Sequence, residues 1–185
     1  MHVAEEHTDE TIASRVQGGD IDAFGTLVDR YERKLLRYGR KFVAREEDIE
    51  DIVQDVFISA YRNIQGFDTG LRFSPWIYRI AHNAFVNALR KNEHGPVAVD
   101  FDTFIAYHVY EDPAENERDL KDMRMLLDKG LEGLAAKYRE ILILHYYEDM
   151  PYKDIADVLE IPMGTVSIRM RRAKEALREN IKDHV

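Results

Sequence analysis

Apolar positions recur every three to four residues over long stretches of the chain, and nowhere do they alternate with polar ones for long. That period marks α-helices buried along one face. Gly and Pro fall between the periodic stretches, where breaks belong. The pattern predicts a short helix from Thr8 to Gln17, closed by Gly18 and Gly19. Asp20 can cap a second helix running to about Val43. A third spans Glu46 to Gln65. Glu46, Glu47 and Asp48 load its first turn, where the partial positive charge of a helix end favours acids. Gly66 to Arg72 reads as a loop. Ser74 as cap and Pro75 in the first turn then open a fourth helix ending near Lys91.

The period breaks at residues 92–113, which hold Gly95-Pro96, clustered acids and Pro113. This is the expected linker. It keeps Phe101, Phe104, Tyr107 and Tyr110, enough aromatic surface to dock on a partner. Beyond it, helices are expected near 114–130, 135–147, 152–160 and 163–182. The expected fold is therefore all-α: a four-helix module at 1–91 and a second helical module at 114–185, joined by an extended acidic linker.

Length and composition narrow the class. A chain of 185 residues suits one medium domain or two small ones. It has no cysteine, which excludes disulfides and thiolate metal sites. No apolar run is long enough to span a membrane, and the acidic start Met1-His2-Val3-Ala4-Glu5-Glu6 does not read as a signal peptide. The expectation is a cytoplasmic protein without membrane insertion. Net charge is −9, which argues against a general nucleic-acid coat. The charge is partitioned, however. Residues 30–45 hold seven basic residues against one acid, and 167–182 hold six against two, while 46–55 and 100–122 are acidic. Such sorting suits partners of both signs, although helical surfaces also carry charge for solubility alone.

The chain's end carries the sharpest pattern. Tyr152 to Glu160 forms a short amphipathic helix, Ile161-Pro162-Met163-Gly164 a turn, and Thr165 onward a basic helix. This is a helix-turn-helix arrangement. Advancing 100° per residue puts Val166, Met170, Ala173 and Leu177 on the inward face, with Ile168, Arg171, Arg172 and Glu175 opposite. A major groove admits such a face, and arginine forks match guanine edges or phosphates. The competing reading is a helical hairpin with a solvated basic side.

In the third helix, Ile49, Ile52, Val53, Val56, Phe57, Ala60 and Ile64 define the expected buried face. Asp51, Gln54, Asp55, Ile58 and Arg62 lie opposite. An isoleucine inside an acidic stripe hints at an interface, where acids alone would suit a solvated face. In the fourth helix, Ile77, Ile80, Ala81, Ala84 and Ala88 should face inward, and Arg79, Asn83, Asn87 and Arg90 form a second stripe. Amides and guanidinium groups in a row suit phosphates and unstacked bases. Phe67, Phe73 and Trp76 lie close by; such rings can stack on bases, and they also build cores.

Nothing in the sequence recommends catalysis. The seven His show no ligand spacing and neighbour no nucleophile, and there is no glycine-rich phosphate loop. No cofactor, metal or small-molecule substrate is expected.

Three further stretches carry a resemblance. Asp22-Ala23-Phe24 through Tyr31, Glu47-Asp48-Ile49-Glu50-Asp51-Ile52-Val53-Gln54-Asp55-Val56-Phe57, and Phe73-Ser74-Pro75-Trp76-Ile77-Tyr78-Arg79-Ile80-Ala81-His82-Asn83 resemble region two of extracytoplasmic-function (ECF) sigma factors. Leu134 through Leu177, with Tyr138-Arg139-Glu140, Tyr152-Lys153-Asp154-Ile155-Ala156 and Gly164-Thr165-Val166, resembles their region four. The resemblance implies a protein that binds core RNA polymerase, recognises the minus-ten and minus-thirty-five elements of promoter DNA and promotes its opening. It implies that Asp51, Gln54, Asp55 and Ile58 dock on the polymerase clamp. It implies that the loop 67–73, with Phe67, Asp68, Phe73, Trp76, Arg79, Asn83 and Asn87, serves the minus-ten element. The last helix, with Thr165, Ser167, Ile168, Arg169, Arg171, Arg172 and Lys174, would read the minus-thirty-five element. The linker would thread toward the polymerase active centre, and an anti-sigma factor would hold the protein inactive.

Two features depart from the family. Ser167 stands directly after Gly-Thr-Val, where a basic residue is usual, and the acidic 2–11 extension has no clear counterpart. Without the resemblance, the same helix-turn-helix would suit a stand-alone regulator that needs no polymerase.

Overall fold

The computed structural model describes residues 8–91, 130–131 and 134–182. Among these residues the chain is helical, with no strand. It divides into two compact units, Met1–Val97 and Ala98–Val185. The expected linker at 92–113 lies outside the described residues, as does the helix expected at 114–130 except for Gly130, which is helical.

In the first unit, α1 spans Asp9–Gln17, α2 Ala23–Gly39, α3 Glu46–Asn63 and α4 Phe73–Lys91. The Thr8 hydroxyl caps α1 by accepting the Thr11 N–H at 3.2 Å. The cap position of α2 is held by Asp22, without a side-chain cap bond, and not by the expected Asp20, which stands two residues earlier. Asp20 accepts Arg15 from the end of α1 at 2.6 Å and the Ala23 N–H at 3.3 Å, so one carboxylate joins α1 to α2.

α2 ends at Gly39, short of the expected Val43. Residues 40–43 form a turn closed by the Phe42 N–H on the Gly39 carbonyl at 2.9 Å, which drives Phe42 and Val43 into the core. Phe42 stacks there on Phe85 of α4, centroids 5.8 Å apart. α3 ends at Asn63 and tightens into a 3-10 turn at Ile64–Gly66. α4 begins at Phe73, so Ser74 lies inside its first turn and does not cap it. Pro75 is still early enough that its missing N–H costs no helical bond.

The core of this unit is aromatic. Tyr31 and Tyr38 of α2 meet Phe73 and Tyr78 of α4 edge-on, at 5.5 and 5.4 Å. Leu27, Leu35, Ile49, Val53, Val56, Ile77 and Ala81 close around them. Each large side chain removed from water contributes roughly 1.5–3 kcal/mol.

In the second unit, α5 spans Ala136–Tyr146, α6 Tyr152–Leu159 and α7 Met163–Lys182. Ile141, Leu142, Ile143 and Leu144 are buried in succession, so α5 is enclosed over this turn, although Ala136, Lys137 and Tyr146 nearer its ends are exposed. α6 stops at Glu160, whose left-handed backbone (φ 52°) ends the helix. The chain then re-enters at α7, with the Thr165 N–H on the Pro162 carbonyl at 2.8 Å. Val166, Met170 and Ala173 are buried, as the helical period predicts, and Leu177 is half-buried.

Candidate functional site

α3 presents two faces. Ile49, Val53, Val56, Ala60 and Ile64 are buried, while Ile52 and Phe57 are only partly so. Asp51, Gln54, Asp55 and Arg62 are exposed, and Ile58 stands 49% exposed among them. Beside this stripe runs an open groove between α2 and α3, lined by Val28, Leu36, Phe57 and Ile58 with Glu32 and Glu50. The face thus combines apolar surface with acids, the mixture a basic amphipathic partner fits.

On α4, Asn83 and Asn87 are exposed on one side and Arg79 is half-buried. The loop before α4 is shaped by Asp68, whose carboxylate accepts the Gly70 N–H at 2.9 Å. Asp68 is exposed, and Leu71 is exposed at the loop's tip. Phe67 and Phe73 differ from the expectation that groups them with DNA-facing residues. They are 5% and 1% exposed, in edge-on contact with each other at 5.4 Å, so their rings hold the loop from inside. Trp76 is half-buried against both. Tyr78 and Phe85, absent from the sequence-based core, complete it. Aromatics that fall between the aliphatic positions of a helix can serve either face, and only the packing decides.

α7 exposes Ser167, Arg171, Arg172 and Ile168, the last 50% exposed. Thr165 is half-buried. Met163, 58% exposed at the start of the helix, joins this surface, although the sequence pattern does not single it out. Ser167 donates its hydroxyl to the Met163 carbonyl at 3.2 Å, one turn back in its own helix. Two of the expected DNA contacts have partners within the unit. Arg169 stands 3.6 Å from Glu140 of α5. Lys174 lies over the Tyr146 ring at 5.5 Å, and a hydrogen bond to Tyr146 raises its pKa.

The basic run at 30–45 is engaged in the same way. Arg30 pairs with Asp9 at 2.6 Å, Arg40 with Glu46, and Arg45 with Glu47 at 2.8 Å. Lys34 sits over the Tyr31 ring and Lys41 is buried. Much of the charge sorting seen in the sequence is thus matched inside the first unit. Among the described residues no group of His or acids is arranged to hold a metal ion, and no helix is long and apolar enough to cross a membrane.

Two small helical units, one with an acidic–apolar stripe and one with a helix-turn-helix, have the features of a protein that meets both a protein partner and DNA. Residues 27–94 match Sigma-70 region 2 and residues 124–177 match Sigma-70, region 4. The ECF RNA polymerase sigma-E factor of Haemophilus influenzae is 34% identical over 97% of this chain and 98% of its own length. The ECF RNA polymerase sigma factor SigW of Bacillus subtilis is 32% identical over 91% and 94%. Among solved structures, CnrH in complex with the cytosolic domain of CnrY superposes with a TM-score of 0.71 at 25% identity, covering 96% of this chain and 99% of that one. The chain belongs to the ECF RNA polymerase sigma factors, a family of transcription initiation factors. That membership sets the stand-alone regulator aside.

Proposed function

We propose that this sigma factor docks on core RNA polymerase through Asp51, Gln54, Asp55 and Ile58 of α3. It then engages the minus-ten element through the 67–73 loop, Arg79, Asn83 and Asn87, and the minus-thirty-five element through the N-terminal half of α7. It carries out no reaction of its own. Binding energy at polymerase and at two DNA elements is directed to opening the duplex, where extruding a base costs a few kcal/mol that a pocket must offset. The protein works in the cytoplasm, and an anti-sigma partner restrains it; CnrH, solved with the cytosolic domain of CnrY, is in keeping with this.

The observation that carries the reading is Ile58, a large apolar side chain 49% exposed beside Asp51, Gln54 and Asp55, on a helix that packs its other face inward through Ile49, Val53, Val56 and Ala60. With Val28, Leu36 and Phe57 along the adjoining groove, Ile58 makes a contiguous apolar patch rimmed by acids, the kind of surface that marks an interaction site. The test is charge reversal of Asp51→Lys with Asp55→Lys. Both side chains are exposed, so the fold should survive. Affinity for core polymerase should fall at least about tenfold, because removing one partner of a charge pair at a desolvated interface costs on the order of 2–5 kcal/mol. Unchanged affinity in a core-binding titration would remove α3 as the docking face.

A further inference from the structure

The loop at 67–73 packs on Phe67, Phe73 and Trp76, and both its ends are held by a single face of α1. At one end, the Gln17 amide donates to the Ile64 carbonyl and to the Phe67 carbonyl, both at 2.7 Å. The Gln65 amide answers by donating to the Gln17 carbonyl at 3.3 Å. At the other end, the Glu10 carboxylate accepts the Phe73 N–H at 2.9 Å. That N–H is an orphan donor of the first turn of α4, at the positive end of the helix, where a carboxylate is favoured.

Glu10 and Gln17 are seven residues apart, two turns on the same face of α1, or about 10.5 Å along its axis. α1 is itself fixed. Ile12, Ala13 and Val16 are buried, and Asp9 accepts Tyr31 at 2.5 Å and Arg30 at 2.6 Å from α2. A rigid helix therefore sets the distance between the two ends of the loop, and with it the height of Asp68, Gly70 and Leu71 above the start of α4.

We propose that Glu10 and Gln17 are positioning residues for base capture: they do not touch DNA, but bracket the loop so that its exposed tip and the Asn83–Asn87 face of α4 form one surface. The proposal rests on the reading of that loop and face as the minus-ten site. Without the bracket the loop keeps its sequence but not its height, and an extruded base meets a moving wall. Docking on polymerase uses α3 and is untouched. The loss thus falls on opening, not on assembly.

The test uses the full chain assembled with core polymerase on a promoter, with core affinity, permanganate reactivity of minus-ten thymines, and base preference across that element as readouts. Glu10→Ala and Gln17→Leu should each lower opening at saturating core by at least about fivefold, since small misplacements of a binding group are costly. Core affinity should stay within about twofold, and preference at the captured base should flatten. Glu10→Gln keeps an oxygen for the Phe73 N–H and should restore opening, whereas Gln17→Glu, which sets a carboxylate against two carbonyls, should not.

Wild-type opening and base preference in both Glu10→Ala and Gln17→Leu, alongside a clear defect in Asn83→Ala with Asn87→Ala, would overturn the bracket while leaving the minus-ten reading standing. Equal loss of core affinity and opening would overturn it too, by reducing α1 to general support. Should Gln17→Leu fail to fold, the contrast between Glu10→Ala and Glu10→Gln decides alone. Wild-type opening in the asparagine variants would instead refute the minus-ten reading itself.

Discussion

Arg169 of α7 stands 3.6 Å from Glu140 of α5, which turns one cation of the helix-turn-helix toward its own unit. Glu140 is mostly enclosed. Burial raises its carboxyl above the usual range, and Arg169 pulls it back only in part. Arg171 and Arg172, by contrast, are exposed. The two kinds of arginine should therefore behave differently on DNA. A side chain that neutralises a phosphate contributes close to one unit to the slope of log affinity against log salt. Arg172→Ala in the assembled polymerase complex should flatten the slope by about that much, and Arg169→Ala should leave it nearly unchanged. Equal flattening in a salt titration would mean that Arg169 leaves Glu140 for the DNA.

A second expectation concerns acid. His82 lies in the aromatic core of the first unit, with its ring nitrogen 3.0 Å from the Tyr38 hydroxyl and its ring against Phe42. Burial lowers its pKa from 6.5 to about 4. The folded state thus favours neutral His82, while the unfolded chain takes up a proton below about pH 6.5. Stability from this group is complete above 6.5 and is lost progressively as pH falls toward 4. The loss is about 3 kcal/mol at 1.36 kcal/mol per pKa unit. Trp76, the single tryptophan, sits in this unit and reports its unfolding by fluorescence. His82→Gln keeps an acceptor for Tyr38 without titrating near neutrality, so denaturation midpoints of wild type and variant should converge as pH falls from 7 to 4. A constant gap across that range would contradict the assignment.

A third follows from a close approach of three helices. A Cβ at Gly39 would lie 2.7 Å from Ile49 Cγ2 and within 2.6 Å of the Phe85 ring, both fully buried. Neither neighbour can swing into solvent. Gly39→Ala should therefore destabilise the first unit by about 1–3 kcal/mol through overpacking, despite the better helix propensity of alanine. A Trp76 unfolding midpoint unchanged by the substitution would show that the three helices can spread at no cost.

What could be read from the sequence follows from range. The α3 stripe and the inward face of α7 depend on a helix's own period, so Asp51, Gln54, Asp55, Ile58, Val166 and Met170 emerge where expected. Thr8, expected as the first residue of α1, instead caps it. The end of α2 departs from its pattern because Phe42 and Val43 continue the apolar period, although the backbone has already turned at Gly39. Other features depend on distant partners. Gln17 meets Ile64 and Phe67 some fifty residues away, and Arg169 and Lys174 meet Glu140 and Tyr146 of α5. No periodicity contains such pairings, so the resemblance alone places Arg169 and Lys174 on DNA, and the pattern leaves Phe67 and Phe73 open between stacking on bases and building the core.

The last prediction concerns sequence reading by α7. Ile168 is 50% exposed and lies near the helix N-terminus, the end that usually enters the major groove. It has no hydrogen-bonding group, so its natural target is a thymine methyl. Met163, the first residue of the helix, is also exposed. Ser167 between them has its hydroxyl on the Met163 carbonyl, so neither its length nor its bonding replaces the basic side chain usual in the family. The N-terminal end of the helix therefore offers methyl contacts, while Arg171 and Arg172, a turn further on, offer guanine or phosphate contacts. An arginine bonded to a guanine discriminates by roughly 1–3 kcal/mol at one base pair, whereas one on a phosphate weakens all sequences alike. Ile168→Ala leaves the buried face of Val166, Met170 and Ala173 intact, so the fold should hold. In the assembled polymerase complex, selected on a randomised minus-thirty-five element, Ile168→Ala should relax preference at one position and leave the others unchanged. Arg172→Ala should lower binding across all sequences, and Arg171→Ala should follow whichever pattern its contact dictates. If every base preference survives Ile168→Ala, then the exposed face of α7 does not enter the groove in the orientation its helical period and burial define.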